Sequence, residues 1–567
     1  MIQPPSIQFR MLQWRSIIKK HIVIFLFYFF ATVYCSDYGY AGQPLDTPYP
    51  KIIVVELDSL SKNILCKNID EFPNISEIIK GKDGNSHFIY IPSVESIIPS
   101  ASIPANVSMY TGLFPSQHGI FSTSWLDRKN VKIYDHLTYP QNKINSMLED
   151  RGGKTIFDYA KEGGRTSLVS MLFIGKGVEP ENWIRSNPFL WANGFWLNII
   201  TDFIPVPEPA HADKRGTRGF LKGHIYSLSD GLEGFYAKNN TLPDLMVIHY
   251  YGFDIFSHYP HRFQSREKWP MKDIQRYYLK NIIDPQVGRI AAWLKKIQMF
   301  DNCIFFFIAD HGMTRIEKHI DDSLVDEILS EGFKTSRFWR RLENVEALCM
   351  AGAGTKAIYI KNRKEDSWRV PPSLQEDIKP AIDLLLKNED LVSSVAAILI
   401  RNLPKESSEG VSETEIFWSF NIPMYMQTQR KELDLFNALA PLSSINAINS
   451  DVRLSLQLER QYSQDSAPDI VLITKPGIFF APDKGKYGHH GSIYSSDNLV
   501  SFMLGGPSLS KKLSKSCMIE ERVSILDFVP TVAGLLNIKV PEKLEGKDII
   551  SEYCSNNFTG NIKEYNK

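Results

Sequence analysis

Seven apolar residues, Cys303 to Ala309, run without a polar break into Asp310 and His311. A carboxylate beside an imidazole directly behind a buried run is a donor pair at the place where α/β sheets put their ligands. A second pair, Asp254 and His258, is spaced four apart behind the segment LMVIHYYGFD. Asp58 ends a third such segment, KIIVVELD, and the turn-rich tract Gly485 to Ser492 carries His489 and His490 side by side. A lone strand-end Asp is more often a turn cap, and a lone His more often a core or surface residue. The recurrence of Asp with His behind separate strands favours ligation over those readings. Three carboxylates and at least three imidazoles, with no Cys-x-x-Cys, suit zinc, with manganese as the alternative occupant. His249, inside an apolar run, reads as a satisfied buried group instead.

These side chains must be positioned by strands. The segments ending on Asp58, Asp254 and Asp310 are short, β-branched or aromatic and free of polar alternation, as strands buried on both faces are. Asp469 to Thr474, DIVLIT, is a fourth candidate for the same sheet. Between the segments ending at Asp254 and Asp310 a helix is expected from Asp284-Pro285, with Asp as cap and Pro at the first position. Val287, Ile290, Trp293, Leu294 and Ile297 then follow at helical spacing. Strand, helix and strand make a right-handed crossover between parallel strands, which brings Asp254 and Asp310 to one sheet edge. The tracts 205–219 and 403–415 read as surface connections, and an excursion of roughly 320–465, with KAIYIKN as a strand, separates His311 from His490.

The stretch Pro99 to Ile120, PSASIPANVSMYTGLFPSQHGI, completes an ordered pattern. Asp58, this Ser-containing loop, Asp254-x-x-x-His258, ADHGM, HHGS and the tail from Ile525 to Ile549 resemble, in that order, the alkaline phosphatase superfamily. The nearest likeness is to its type I phosphodiesterase and nucleotide pyrophosphatase branch. The resemblance implies a three-layer α/β sandwich, with a mainly parallel central sheet, helices on both faces and an inserted lobe. It implies two divalent cations, expected to be zinc, one on Asp58, Ser102, Asp310 and His311 and the other on Asp254, His258 and His490. Ser102 would be the nucleophile. The resemblance favours it over Ser100, because Ser102 fits the family spacing to Pro104 and Thr111-Gly112, and favours His490 over His489, because the family ligand directly precedes the Gly of HG. His118 would support the nucleophile loop as a turn residue. The family Asn expected at position 105 is Ala105, so Asn106 is the candidate donor to a phosphate oxygen. Asn106 at a sulfatase Arg position, and Ser59 directly after Asp58, argue against a sulfatase. Lys176 and Arg128 are candidate partners for the extra charge of a monoester. The reading is a hydrolase of phosphodiester or nucleotide pyrophosphate bonds. A phosphomonoesterase of the same superfamily is the alternative, and a non-catalytic binding protein is disfavoured by the intact ligand set. The aromatic tract Asn187 to Trp196 offers a base-stacking or acyl-covering surface, with packing as its default.

Composition sets the remaining limits. Lys plus Arg and Asp plus Glu number 64 each in 567 residues, so no global field recruits nucleic acid, and a small-molecule phosphoric ester is the expected partner. Arg10, Arg15, Lys19 and Lys20 precede the apolar run Ile22 to Val33, a leader-like layout over residues 1–35, with the catalytic domain over 36–567. Export to the periplasm or cell exterior follows from a cleaved leader, and membrane attachment from an uncleaved one. Five cysteines lie beyond Cys35, so at least one thiol stays unpaired, and Cys517 with Cys554 are placed to bridge the final segment.

Overall fold

The computed structural model describes residues 49–555 apart from 136–141, 185–231, 233, 261–268, 337–341, 351, 402–416, 421–438, 442–466 and 482–485. The leader-like segment and the aromatic tract lie outside the described residues. No helix among the described residues is long and apolar enough to cross a membrane.

Among the described residues the main sheet has nine strands, and its centre is built from the runs singled out above. In chain order they are β1 (Lys51–Glu56), β2 (Ile89–Glu95), β3 (Ser167–Ser170), β4 (Trp183–Ile184), β5 (Leu245–His249), β6 (Cys303–Ile308), β7 (Leu499–Gly505), β8 (Cys517–Met518) and β9 (Val523–Ser524). Spatial order is β8-β2-β7-β6-β1-β5-β3-β4, with β9 also on β2. β1 lies between β5 and β6 and is parallel to both, with Glu56 opposite His249 on one side and Ile308 on the other. Only β7 runs against its neighbours. Every residue of β1, β5 and β6 is buried, which is why these strands read as continuous apolar runs. Truncating a ring such as Phe306 here would cost about 3–5 kcal/mol. Lys51 is tolerated at the start of β1 because its Nζ meets Asp244 Oδ1 at 3.0 Å.

Six helices matter to the site: α1 (Pro73–Lys80), α2 (Ser102–Thr111), α3 (Pro115–His118), α4 (Gly252–His258), α5 (Met271–Tyr278) and α6 (Asp284–Lys296). α2 starts from an extended Ala101 and ends on Gly112 at φ 69, the left-handed cap that glycine adopts without strain. Pro104 sits in its first turn, where a backbone N–H has no intrahelical partner to lose. The helix expected to begin at Asp284 instead continues from α5 through a π-helical turn, Leu279–Ile283. Asp284 therefore caps a different helix: its Oδ1 accepts the Ile75 N–H at 2.8 Å, and its Oδ2 the Asn74 amide at 2.7 Å, at the start of α1. Strand, helices and strand follow in the expected order from β5 to β6, and both strands run parallel to β1 between them.

The DIVLIT strand corrects the sequence expectation. Ile470–Thr474 belongs to a separate six-stranded sheet, antiparallel to Thr355–Ile360 and Val395–Arg401. An apolar run buried on both faces does not declare which sheet it joins, since period and composition are the same in either. Arg128 ties this second sheet to the rest. Buried, it pairs with Asp469 and donates to the Trp368 carbonyl at 3.0 Å. Cys517 and Cys554 form a disulfide, and Cys66, Cys303 and Cys349 are free thiols.

Candidate metal centre and active site

Two groups of side chains meet beyond the carboxyl ends of β1, β5 and β6. The first centres on His311 Nε2. Ser102 Oγ lies 3.0 Å from it, Asp58 Oδ1 3.3 Å and Asp310 Oδ2 3.5 Å, and Ser102 Oγ is 3.3 Å from Asp58 Oδ1. The second group joins α4 to the returning HHG turn. Asp254 Oδ2 is 3.3 Å from His258 Nε2, and Asp254 Oδ1 is 3.6 Å from His490 Nε2. The rings of His311 and His490 stack at 4.0 Å, which joins the two groups into one site.

The local sequence explains the aim of each side chain. His258, His311 and His490 direct Nδ1 to the carbonyls of Gly488 (2.7 Å), Gly312 (2.9 Å) and Ser100 (3.0 Å). That leaves Nε2 of all three facing inward, the arrangement in which a backbone acceptor fixes a metal-binding tautomer. Gly312 must be glycine, because a Cβ there would stand 2.1 Å from the Ser496 carbonyl oxygen. Ser59, immediately after Asp58, takes φ 68, a conformation unfavourable for a residue with a side chain. It is held there by its N–H on Asp310 Oδ1 at 3.2 Å and by Gln275 Nε2 on its carbonyl at 2.8 Å.

The donor set fits divalent cations. Four ligands around one ion at zinc bond lengths of 2.0–2.1 Å stand about 3.3 Å apart along the edges of a tetrahedron. The separations within both groups fall close to that value. Without such a cation the charges conflict. Burial, followed by the nearby Asp310 and Asp254 carboxylates, pushes Asp58 well above the ordinary Asp range. Burial also raises Asp254, but His258 and His490 outweigh it and hold that carboxyl below its usual value. Burial works against the charged form of His311, yet the three Asp carboxylates prevail and raise it, whereas burial and His311 push His490 well down. Asp254 Oδ1 is buried without a hydrogen-bond partner.

The other candidates fall elsewhere. Asn106 is fully buried and donates to Asp310 Oδ2 at 3.0 Å, so it orients that carboxylate. Lys176 Nζ lies on Asp158 Oδ2 at 3.0 Å, and Arg128 is engaged by Asp469. His118 does support the nucleophile helix: its Nδ1 accepts the Ile120 N–H at 3.1 Å, and its Nε2 lies 2.9 Å from Ser108 Oγ in α2. His249 is satisfied by the Met171 carbonyl at 3.1 Å, but it also reaches Asp58 Oδ2 at 3.1 Å, a contact its apolar surroundings in the sequence did not suggest. Glu56 lies beneath this group, its carboxyl pushed up to about 8 by burial and the Asp310 charge against the opposing pull of His249, and accepts the Tyr110 hydroxyl at 2.6 Å. The Ser102 and Asn106 pair had a readable signal, since residues four apart share a helix face.

Comparison with known proteins places the chain in a family and a fold. The family model described as type I phosphodiesterase / nucleotide pyrophosphatase matches residues 52–493. A bis(5'-adenosyl)-triphosphatase, enpp4 of Xenopus laevis, is 22% identical over 290 residues, which are 50% of this chain. The chain spans about half of that relative, 52% of its length. Among solved structures, murine ectonucleotide pyrophosphatase/phosphodiesterase 5, an inactive variant in complex with AMP, superposes with a TM-score of 0.52 at 13% identity over 90% of this chain and 100% of that one. The human counterpart gives 0.53 at 14% identity over the same shares. These likenesses establish an alkaline phosphatase-like fold.

Proposed function

The chain belongs to the type I phosphodiesterase and nucleotide pyrophosphatase family, and from that membership we propose a metal-dependent hydrolase of phosphodiester or pyrophosphate bonds that acts through Ser102. The observation that carries this reading is the convergence of Asp58, Ser102, Asp310 and His311 with Asp254, His258 and His490. The first four would hold one divalent cation and the last three another, with zinc suited to the nitrogen and oxygen donors. When bound, such ions stabilise the serine alkoxide and the negative charge on the leaving oxygen.

The chain's own residues supply the geometry. Ser102 opens α2, so its Oγ projects at the site while the backbone behind it is fixed by a buried helix. The first-turn amides of that helix have no intrahelical partner and can donate to a phosphate oxygen. That offsets the side-chain donor missing at Ala105, since Asn106 is committed to Asp310. Ser102 Oγ, its proton lost to solvent, attacks phosphorus as the bond to the leaving oxygen breaks; the leaving group departs as an alcohol or phosphate, and the retained half stays on the serine as a phosphodiester. Water then attacks the same phosphorus and returns the serine hydroxyl. The contact of Ser102 Oγ with His311 Nε2 and Asp58 aligns the hydroxyl before reaction.

Diester or pyrophosphate substrates are favoured over monoesters because Lys176 and Arg128 are engaged by Asp158 and Asp469. The relative's printed name, a bis(5'-adenosyl)-triphosphatase, and the AMP in the murine complex both support a nucleotide substrate. The disulfide between Cys517 and Cys554 supports export to an oxidising compartment. The deciding experiment is hydrolysis of p-nitrophenyl thymidine 5'-monophosphate and p-nitrophenyl phosphate by the zinc-loaded protein. Faster turnover of the diester is expected, and activity on neither ester would overturn the reading.

A further inference from the structure

Behind the first cluster lies a buried imidazole that touches one of its carboxylates. His249, the last residue of β5, is fully buried and sits opposite Glu56 in the register with β1. Both of its ring nitrogens meet oxygen atoms: Nδ1 the Met171 carbonyl at 3.1 Å, and Nε2 the Asp58 Oδ2 at 3.1 Å. Carbonyl and carboxylate oxygens accept, so the ring donates to both. Glu56 Oε1 stands 4.0 Å from Nε2, beyond hydrogen-bond reach, and its other oxygen accepts the Tyr110 hydroxyl.

The ring is held from several directions. Met171 takes φ 65, a backbone conformation unfavourable for a residue with a side chain, and turns its carbonyl to Nδ1. The Phe173 ring meets the imidazole edge to face, with centroids 5.4 Å apart. Asp58 needs such an anchor, because the terminal torsion of an aspartate is broad and two-fold. Its two oxygens are used differently. Oδ1 lies 3.3 Å from both Ser102 Oγ and His311 Nε2, whereas Oδ2 is committed to His249.

We propose that His249 is a positioning residue, holding Oδ2 of Asp58 so that Oδ1 is presented to Ser102 and to the first cation. Asn106 does the same for Asp310 from α2, so both carboxylates of the first group have an anchor of their own. Loss of a partner that orients a ligand costs about 10–100-fold in metal affinity. This inference rests on the hydrolase reading above. Packing is the rival role, and the two rank substitutions in opposite orders. Gln places an amide nitrogen near the position of Nε2 and keeps the bond to Asp58. Asn reaches only as far as Nδ1 and keeps the bond to Met171 alone. Leu fills the buried volume and keeps neither.

The test measures zinc dissociation constants by competition with a chromogenic chelator in the parent protein, His249→Gln, His249→Asn and His249→Leu. The two ions are told apart by His258→Ala, which removes the one on Asp254, His258 and His490. His249→Asn and His249→Leu should weaken the ion on Asp58, Ser102, Asp310 and His311 by about 10–100-fold and leave the other near its parent value. His249→Gln should stay close to the parent for both. A first ion held as tightly in His249→Leu as in the parent, or as weakly in His249→Gln as in His249→Leu, would overturn the proposal. His249→Leu, apolar in a buried strand, gives the answer even where a polar variant fails to fold. The constants are read without substrate, which separates the two readings. A parent inactive on both nitrophenyl esters fails the hydrolase reading, whereas an active parent whose first ion is indifferent to His249→Leu fails this inference alone.

Discussion

The two halves of the site are held by different means. Asp58, Asp310 and His311 hang from the ends of β1 and β6, two central strands paired over six residues, and none of the three side chains is more than 3% exposed. Asp254 and His258 stand on a seven-residue helix, and His490 on a turn next to a two-residue ladder, with Asp254 and His490 side chains 14% and 13% exposed. The first half takes its geometry from the sheet, so its ligands are fixed before any ion arrives. The second depends on helix spacing and on a loop closing from more than two hundred residues away. Rigid support and like-charge crowding coincide in the first half, where burial and neighbouring carboxylates raise Asp58. One carboxylate shared by two imidazoles, with lower charge density, makes up the second.

The sharpest break of this comparison is at the nucleophile. Ser102→Ala should lower turnover by roughly a thousandfold or more while leaving metal content near that of the parent, read by elemental analysis beside the ester assay. Retained turnover would remove Ser102 from its role. Next in size is the support of the first half. Asn106→Ala deletes the amide on Asp310 Oδ2 and should weaken metal binding there by about 10–100-fold, with the other half little changed, as read by competition with a chromogenic chelator. Equal weakening of both halves would mean that they are one rigid unit.

A smaller effect separates them by order of release. As chelator is added, the ion on Asp254, His258 and His490 should leave first, since its ligands are more exposed and its loop can open. Two well-resolved losses are expected, and His258→Ala should abolish only the earlier one. Loss of both ions in a single step would contradict the contrast.

The smallest effect concerns the helix that presents Ser102. His118, bonded to Ser108 in that helix, is pushed down to about 3 by burial and then by Arg151. Its folded-state value lies below the unfolded value of 6.5. Its contribution is therefore complete above pH 6.5 and declines as pH falls toward about 3, because the unfolded chain binds a proton that the folded one refuses. The slope is about 1.4 kcal/mol per pH unit, or roughly 2 kcal/mol between pH 6.5 and 5. In denaturant melts His118→Gln should flatten that part of the profile, and an unchanged slope would assign the acid lability to other groups.

The legibility of the chain followed the same division. Continuous apolar runs with Asp at their ends gave β1, β5 and β6, and the crossover rule placed Asp254 and Asp310 at one edge. The i, i+4 spacing of Asp254 and His258 gave half of the second group directly. What the sequence hid was partnership through space. DIVLIT looks like a main-sheet strand because nothing local distinguishes one buried sheet from another, yet it pairs with Thr355–Ile360. Asp284-Pro285 looks like a helix start because a π-helical turn that carries a helix into Pro285 has no simple signature, and its carboxylate is used by α1. His249 sits opposite Glu56 only because β1 and β5 are in that register, so its contact with Asp58 could not be read from an apolar stretch.

The central claim is that two divalent cations lie around one serine hydroxyl. Crystals of the zinc-loaded protein, measured at the zinc absorption edge, test it directly. Two anomalous peaks are expected, one bounded by Asp58, Ser102, Asp310 and His311 and the other by Asp254, His258 and His490. No peak at these side chains, or a single one shared by all seven, would contradict it.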